Sequence, residues 1–271
     1  MIESQPLGKG LLILLKEMFS FSTAELESYF QKIFGDDGIN VTSPSEGEYL
    51  VSWNGMQFKL NFTNEPIPAD FFKVALLTSY GLKDGESLVD GHRAYIKVTP
   101  LSEATKIAAV VMRSIMVMKL AFSLKSGEVP LGYYWESSQT LKDYFGFEKS
   151  LASINHAMEL QAKNDPAAGA HLPLSFWAGI RFFKSKDFEG VRAITIGTRE
   201  IAGYELEYSD EAISQAEKAE VLLSMLAYLV SSGAQLKDGD TVGVSPKREF
   251  TLSYKKADDK LPRRYALVAK K

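Results

Sequence analysis

The sequence predicts an α+β protein made of two similar α/β halves, in which long helices pack on mostly antiparallel sheets. Two observations lead to this fold class. Segments that alternate apolar and polar residues, typical of half-buried strands, occur in both halves of the 271-residue chain. Each half also contains one long segment with the apolar spacing of a helix. A fold of this class buries one face of each sheet under its helices.

The first elements predicted are a strand, a helix and a hairpin. The aliphatic run from Leu11 to Leu15 is typical of a buried strand. The next segment, TAELESYFQKIFG, has helical spacing, with Ser22 or Thr23 as its cap and Gly35 at its end. Two alternating strands then meet at Asn54-Gly55, a dipeptide that accepts the backbone angles of a tight primed turn.

The most apolar segment of the chain begins after Pro100. Lys106, Arg113 and Lys119 interrupt it, whereas a membrane span needs about twenty predominantly apolar residues. We therefore predict a buried central helix and no membrane partner. Downstream, the pattern predicts two shorter helices, at 140–147 and 150–163, which are separated near Gly146.

The second half repeats the alternation of strands and helix. Residues 174–197 predict a hairpin whose first strand carries Trp177, and Asp210 is a candidate cap for a second long helix. REFTLSY is the last strand that the pattern predicts. The turn at 165–169 is the best candidate linker, so the halves are residues 1–165 and 170–271, or parts of one compact body.

The order of elements is the same in both halves. Each has a hairpin, a third strand, a long helix and a fourth strand, and a glycine, Gly91 or Gly203, stands just before the third strand. Two explanations remain open, an internal duplication and the chance recurrence of a common order.

Composition excludes several classes of function. The formal net charge of −3, without a dense run of Lys or Arg, gives no reason to expect nucleic-acid binding. The absence of cysteine excludes disulfides, thiolate metal sites and thiol nucleophiles. The N-terminus lacks the basic start and long apolar run of a secretory signal, so we expect a cytoplasmic protein.

Catalytic and cofactor motifs are also missing from the sequence. The histidines, His92, His156 and His171, are far apart, and no HExxH or phosphate-loop pattern occurs. We therefore predict no metal, no cofactor and no catalytic residue.

Two carboxylates, Glu205 and Glu207, alternate on one predicted strand and point to the same face. They could form a general acid/base or cation-binding pair. The interpretation that we favour places them on a solvent-facing side, opposite core residues Tyr204, Leu206 and Tyr208.

The candidate binding residues lie at the end of a short strand. Tyr134, Trp135 and Glu136, together with Trp177, could form an aromatic pocket with one carboxylate, which would bind a ligand or a partner. The alternative is an ordinary aromatic core.

Five stretches, LPLSFWAGI, ITIGTREIAGYELEY, LKDGDTVG, GHRAYIKV and GYYWESS, resemble the bacterial domain-of-unknown-function family numbered 4261, over roughly residues 91–254. This resemblance implies a fold and a bacterial origin but no mechanism. We expect a non-enzymatic protein that binds another protein, in an immunity-like or secretion-associated accessory role. The alternatives are an enzyme or small-ligand binder that uses Trp135 and Glu136, and a structural oligomerisation module.

Overall fold

The structure is a computed structural model that describes residues 10–35, 38–79, 82–124, 129–185, 188–245, 248–258 and 261–269. The chain divides into two compact units. The first unit is Met1–Thr105 with Ala109–Ala152, and the second is Lys106–Ala108 with Ser153–Lys271. The division falls upstream of the linker that the sequence predicts at 165–169.

The first unit contains a sheet of strands β1 (Leu11–Leu15), β2 (Asn40–Ser45), β3 (Glu48–Trp53), β4 (Met56–Thr63), β5 (Ala94–Pro100), β6 (Gly132–Trp135) and β7 (Thr140–Asp143). Their order is β2-β3-β4-β5-β1-β6-β7, and each neighbouring pair is antiparallel. All residues of β1 are buried because the strand lies inside the sheet, between β5 and β6.

Helices accompany both faces of this sheet: α1 (Thr23–Phe34), α2 (Lys73–Thr78), α3 (Gly85–Gly91), α4 (Ile107–Ser123) and the start of α5 (Tyr144–Ala162), with a 3-10 turn at Ala69–Phe72. On one face, Leu12 and Tyr134 pack against Phe72 and Leu88. On the other, Met116 and Leu120 of α4 line a small apolar cavity with Val51 and Phe58. The buried central helix is thus confirmed, and no helix in the described part of the chain is long and apolar enough to cross a membrane.

The second unit contains strands β8 (Gly179–Ser185), β9 (Phe188–Ile196), β10 (Glu205–Ser209), β11 (Thr241–Ser245), β12 (Arg248–Lys255) and β13 (Arg264–Ala269). The order is β11-β12-β13-β10-β9-β8, with β10 and β13 parallel and the other pairs antiparallel. The helices of this unit are α6 (Leu174–Trp177), α7 (Thr198–Ala202) and α8 (Gln215–Ser232), with a 3-10 helix at Pro166–His171. Leu222 and Met225 of α8 pack on Leu206 and Phe250 of the sheet. The α+β class with mostly antiparallel sheets is therefore confirmed.

Several local predictions were wrong. Residues 140–143 form strand β7, and a single helix, α5, then continues through Gly146. The glycine is tolerated because it lies in the first turn, where its N–H donates to Asp143 Oδ1 at 2.7 Å. Helix α8 begins after Ser214, not after Asp210, whose carboxylate instead accepts from Ala212 N.

Another wrong prediction concerns the last strand, because β13 follows REFTLSY and inserts between β12 and β10. In both units the third strand of the proposed repeat pairs with the second strand of the hairpin. The fourth strands differ in position, because β6 lies beside β1 and β11 lies at an edge. An internal duplication stays a prediction.

Candidate functional site

The structure separates the aromatic residues of the predicted pocket. Tyr134 and Trp135 are neighbours on β6, so their side chains point to opposite faces of the sheet. Tyr134 is 3% exposed and packs edge-to-face on Phe71 and Phe72, which lie beside α2. Trp135 is 7% exposed, and its indole N–H donates to Ser137 Oγ at 2.9 Å. Both rings therefore contribute to the core of the first unit.

Polar side chains fill the turn between β6 and β7. Glu136, Ser137, Ser138 and Thr140 are all buried. The hydroxyls of Ser138 and Thr140 share a 2.7 Å hydrogen bond. Since turns usually lie on the surface, this burial is unusual, and it requires each polar atom to find a partner.

One atom of the turn lacks such a partner. Glu136 is 8% exposed, and its Oε1 accepts from Lys97 Nζ at 2.8 Å. Its other oxygen, Oε2, is buried and accepts no hydrogen bond. A Cβ atom placed on Gly10 would lie only 3.0 Å from this oxygen, so glycine leaves the space that the carboxylate needs. Among the predicted binding residues, Glu136 therefore carries a buried oxygen with unused hydrogen-bonding capacity.

Trp177 belongs to the second unit, and the prediction that it lies on a strand was wrong. It ends the short helix α6, in which the N–H groups of Phe176 and Trp177 donate to the carbonyl of Pro173. The indole is 1% exposed. The strand of the hairpin begins only at Gly179.

The two alternating glutamates of β10 are buried, so the favoured interpretation of a solvent-facing pair was wrong. Glu205 is 1% exposed and accepts four hydrogen bonds. Oε2 accepts from Thr195 Oγ1 at 2.7 Å and from Thr198 N at 3.1 Å. Oε1 accepts from Gly197 N at 3.0 Å and from Arg199 N at 3.3 Å. The carboxylate thus holds the turn between β9 and α7 against β10.

The cage around Glu205 has opposing effects on its acidity. Burial raises the pKa of Glu205 to about 7, although the hydrogen bonds from Thr195, Gly197 and Arg199 act to lower it. Removal from water therefore outweighs the donors. All four donors belong to the cage itself, so the site is complete without a ligand.

Glu207 connects three strands of the same sheet. Its Oε1 accepts from Arg192 of β9 at 3.2 Å, and its Oε2 accepts from Arg264 Nε of β13. Arg264 also reaches Asp258 at 3.4 Å and the carbonyl of Pro262 at 3.1 Å. Because both charges of the Glu207–Arg264 pair are buried, the network is part of the scaffold.

The fold brings two of the three histidines together. The rings of His156 and His171 have centroids 4.6 Å apart, a proximity that their spacing in the sequence does not indicate. His92 is buried in the first unit, where Nε2 accepts from Ile67 N at 2.8 Å. Within the described ranges, no three His, Asp or Glu side chains are grouped so that they could hold a metal ion.

Strand β8 has the longest regular pairing run of the four edge strands, which are β2, β7, β8 and β11, and its register shifts only between Lys184 and Ser185. Edge strand β2 contains Pro44 and a register shift, and β11 also has a register shift. Strand β7 is short, and its Leu141 N–H already donates to Ser79 Oγ. Strand β8 keeps a regular register with β9 from Gly179 to Lys184. Proline, bulges and side-chain caps are devices that block edge pairing, and β8 carries none over this run.

The side chains of β8 are apolar and basic. Phe182 is 37% exposed and Lys184 is exposed, while Arg181 and Phe183 are partly buried. The strand GIRFFKS contains no acidic residue. Sequence reasoning predicted the hairpin but missed this edge, because strand order cannot be read from alternation alone. The available signal for a binding edge was the composition of the strand, which has two aromatic residues, two basic residues and no acidic one.

Residues 194–269 match the model of a family described as a domain of unknown function (DUF4261). This match confirms the resemblance for that segment, which runs from the end of β9 to β13 and includes the Glu205 cage and the Glu207 network. Neither the curated proteins nor the solved structures contain a significant match to the chain. The comparisons therefore show that a segment of the second unit is similar to a family of unknown function.

Proposed function

We propose that this protein acts by binding another protein, and that the partner adds an extended acidic segment to the open edge of β8. The regular six-residue register of Gly179 to Lys184 at a sheet edge carries this proposal. An extended peptide can pair with such an edge through main-chain hydrogen bonds, while pockets for alternate side chains supply specificity.

The charge of β8 favours an acidic partner. Arg181 and Lys184 give the strand two positive charges and no negative one. A second copy of β8 would bring two more positive charges to the same edge, and like charges placed opposite each other disfavour pairing. Lys184 shares the exposed face of the strand with Phe182, whereas Arg181 lies on the other face, so an acidic segment that meets Lys184 would also cover Phe182.

Within this proposal, an immunity-like or secretion-associated accessory role in a bacterial cytoplasm is the form that we favour. Such proteins work by occupying a partner and need no catalytic set. An acidic extended segment on a toxin or a secreted protein would be the matching surface.

A peptide-binding experiment tests the edge. The probe is an eight-residue peptide that alternates Glu and Val, with a Lys-Val peptide and an N-methylated Glu-Val peptide as controls. We expect the acidic peptide to bind the full chain and to slow hydrogen exchange in β8. Lys184→Glu should weaken this binding at least tenfold, whereas Lys237→Glu, the same charge change on an exposed lysine near β11, should not.

Four results would count against the proposal. Equal binding of the N-methylated peptide would exclude main-chain pairing, and exchange protection outside β8 would place the contact elsewhere. Reversible wild-type dimers with exchange protection in β8 would instead make a second copy the occupant. A monomeric protein that captures no partner from its native lysate would count against partner binding as a whole.

The unpartnered Oε2 atom of Glu136 favours a second candidate, a small ligand that donates a hydrogen bond. A compact ammonium group fits this chemistry, because Glu136 is an ionisable carboxylate whose other oxygen already meets Lys97. In this candidate, Glu136 orients the ligand, whereas Trp135, whose indole N–H donates to Ser137, supports the site only as part of the core.

Methylammonium is a suitable probe for this candidate. It should raise the melting temperature of the wild-type protein but not that of Glu136→Gln. Glu48→Gln is the matched control, because Glu48 forms a comparable 2.7 Å pair with Lys59 in the same sheet. An equal rise in all three proteins would exclude a specific site at Glu136.

A further inference from the structure

Lys142 lies in a setting unlike that of the lysines with exposed side chains. It is partly buried on β7, directly opposite Tyr133 of β6. Its Nζ donates to Ser150 Oγ at 2.6 Å, and this hydroxyl in turn donates to the carbonyl of Gly146 at 2.9 Å. The amine is thus held in a fixed position at the edge of the sheet by a neutral hydroxyl.

The wall beside Lys142 is weakly polar. Tyr133 is fully buried, and its ring stacks on Phe147 with centroids 3.6 Å apart. The phenol oxygen of Tyr133 makes no hydrogen bond, and burial raises the pKa of this phenol. Such surroundings disfavour an ammonium ion.

The acidity of Lys142 follows from this setting. Burial lowers its pKa to about 8, although the nearby Asp143 carboxylate acts to raise it. The carboxylate of Asp143 also accepts from Gly146 N at 2.7 Å, so it is engaged at the start of α5. At pH 7.5 a lysine with a pKa of about 8 has roughly 200-fold more neutral amine than one with the reference value near 10.4.

We propose that Lys142 is a site of covalent acylation, and that it takes small activated acyl groups such as acyl phosphates. The Nζ lone pair attacks the carbonyl carbon and forms a C–N bond. The C–O bond to phosphate breaks, its electron pair leaves with the phosphate, and the proton released from Nζ passes to solvent. The amide product keeps one N–H, which can still donate to Ser150, and it removes a charge from a partly buried site.

The fixed position of Nζ gives this reaction its site selectivity. A lysine on an open surface is protonated at neutral pH and moves freely, while Lys142 is partly neutral and held by Ser150. Because Lys142 is partly exposed, we expect a small donor to reach the amine more readily than a bulky one.

The test treats the full-length protein with acetyl phosphate and follows each lysine by peptide mass spectrometry. Lys73 is the internal reference, because its side chain is 69% exposed and it pairs with Asp70 at 2.7 Å. We expect acetylation of Lys142 to be at least tenfold faster at pH 7.5. Its rate should level off above pH 8, and Asp143→Asn should increase the rate severalfold at pH 7.

Lys142→Arg verifies the assignment of the modified peptide. The proposal would be overturned if Lys142 were acetylated no faster than Lys73, or if its rate were still rising at pH 10. A bulky acyl donor that modified Lys142 as quickly as acetyl phosphate would contradict the selectivity for small groups.

Discussion

The hydroxyl of Thr195 donates a 2.7 Å hydrogen bond to the carboxylate of Glu205, and neither side chain is more than 1% exposed. The same hydroxyl accepts from Leu206 N at 2.8 Å. Thr195 therefore joins the backbone of β10 to a carboxylate that caps the neighbouring turn. A buried network of this kind stabilises one arrangement of the chain, because the Thr195 hydroxyl and both carboxylate oxygens of Glu205 have their partners.

The first prediction concerns the pH dependence of stability. The folded pKa of Glu205, about 7, lies above its ordinary value of 4.5, so the folded state binds the proton more tightly. Stability contributed by this group is therefore present below pH 4.5 and is lost as pH rises to 7. The linked change is about 3 kcal/mol. Chemical denaturation across this range should show the loss in the wild type and a flatter profile in Glu205→Gln.

Glu220→Gln is the control for this profile, because Glu220 is exposed on α8. It should keep the wild-type slope. If Glu205→Gln instead made stability fall more steeply with pH, the four donors of the cage would outweigh desolvation, and the direction of the shift would be wrong.

A double-mutant cycle tests the buried ion pair. Arg264→Met removes one cation from Glu207 but leaves the buried carboxylate, and breaking such a pair typically costs about 3 kcal/mol. Glu207→Leu leaves two arginines without their shared acid. The double variant Glu207→Leu/Arg264→Met removes both charges and should be more stable than the sum of the single losses indicates. Urea denaturation measures all four free energies, and strictly additive losses would show that the pair is not coupled.

The sequence predicted the individual helices and strands better than it predicted which strands lie side by side in the sheets. The Asn54-Gly55 hairpin, the buried run Leu11–Leu15 and the two long helices were recognisable because local spacing determines them. Strand order depends on contacts between distant residues, so the insertion of β13 between β12 and β10 had no local signal. For the same reason, alternation alone did not identify β8 as an edge.

The candidate sites also show that local sequence patterns do not predict contacts between distant residues. Alternation correctly placed Glu205 and Glu207 on one face, but their burial depends on Arg192, Arg264 and the turn at Gly197. A polar side chain is assigned to solvent by default, since burial without partners is costly. The partners of Glu205 and Glu207 come from other segments, and their identities are visible only in the fold.

Close packing at Gly169 gives a third prediction. A Cβ atom at this position would lie 1.9 Å from Ser231 Oγ and 3.2 Å from the carbonyl oxygen of Ala227 on α8. Gly169→Ala should therefore reduce the free energy of unfolding by about 1–3 kcal/mol through overpacking. Adding Ser231→Ala removes the nearest atom, and the double variant should regain part of the loss in thermal or urea unfolding. No recovery would show that the backbone of α8, not Ser231, limits the space.

The last prediction uses two matching helix caps, one in each unit. Ser22 caps α1 and Ser214 caps α8, and in both cases the serine oxygen accepts from a backbone N–H at 3.2 Å. A glutamate three residues on, Glu25 or Glu217, accepts from the serine N–H in return. Replacing either serine by alanine should cost about 1 kcal/mol, because one donor of the first turn loses its partner.

The pair of variants also tests the division into two units, because each cap belongs to one of them. If the units unfold separately, Ser22→Ala should shift one calorimetric transition and Ser214→Ala the other, since a local loss acts on the cooperative unit that contains it. The threonine variants, Ser22→Thr and Ser214→Thr, are the controls and should retain most of the stability. A single transition that both alanine variants lower equally would show that the chain unfolds as one cooperative body.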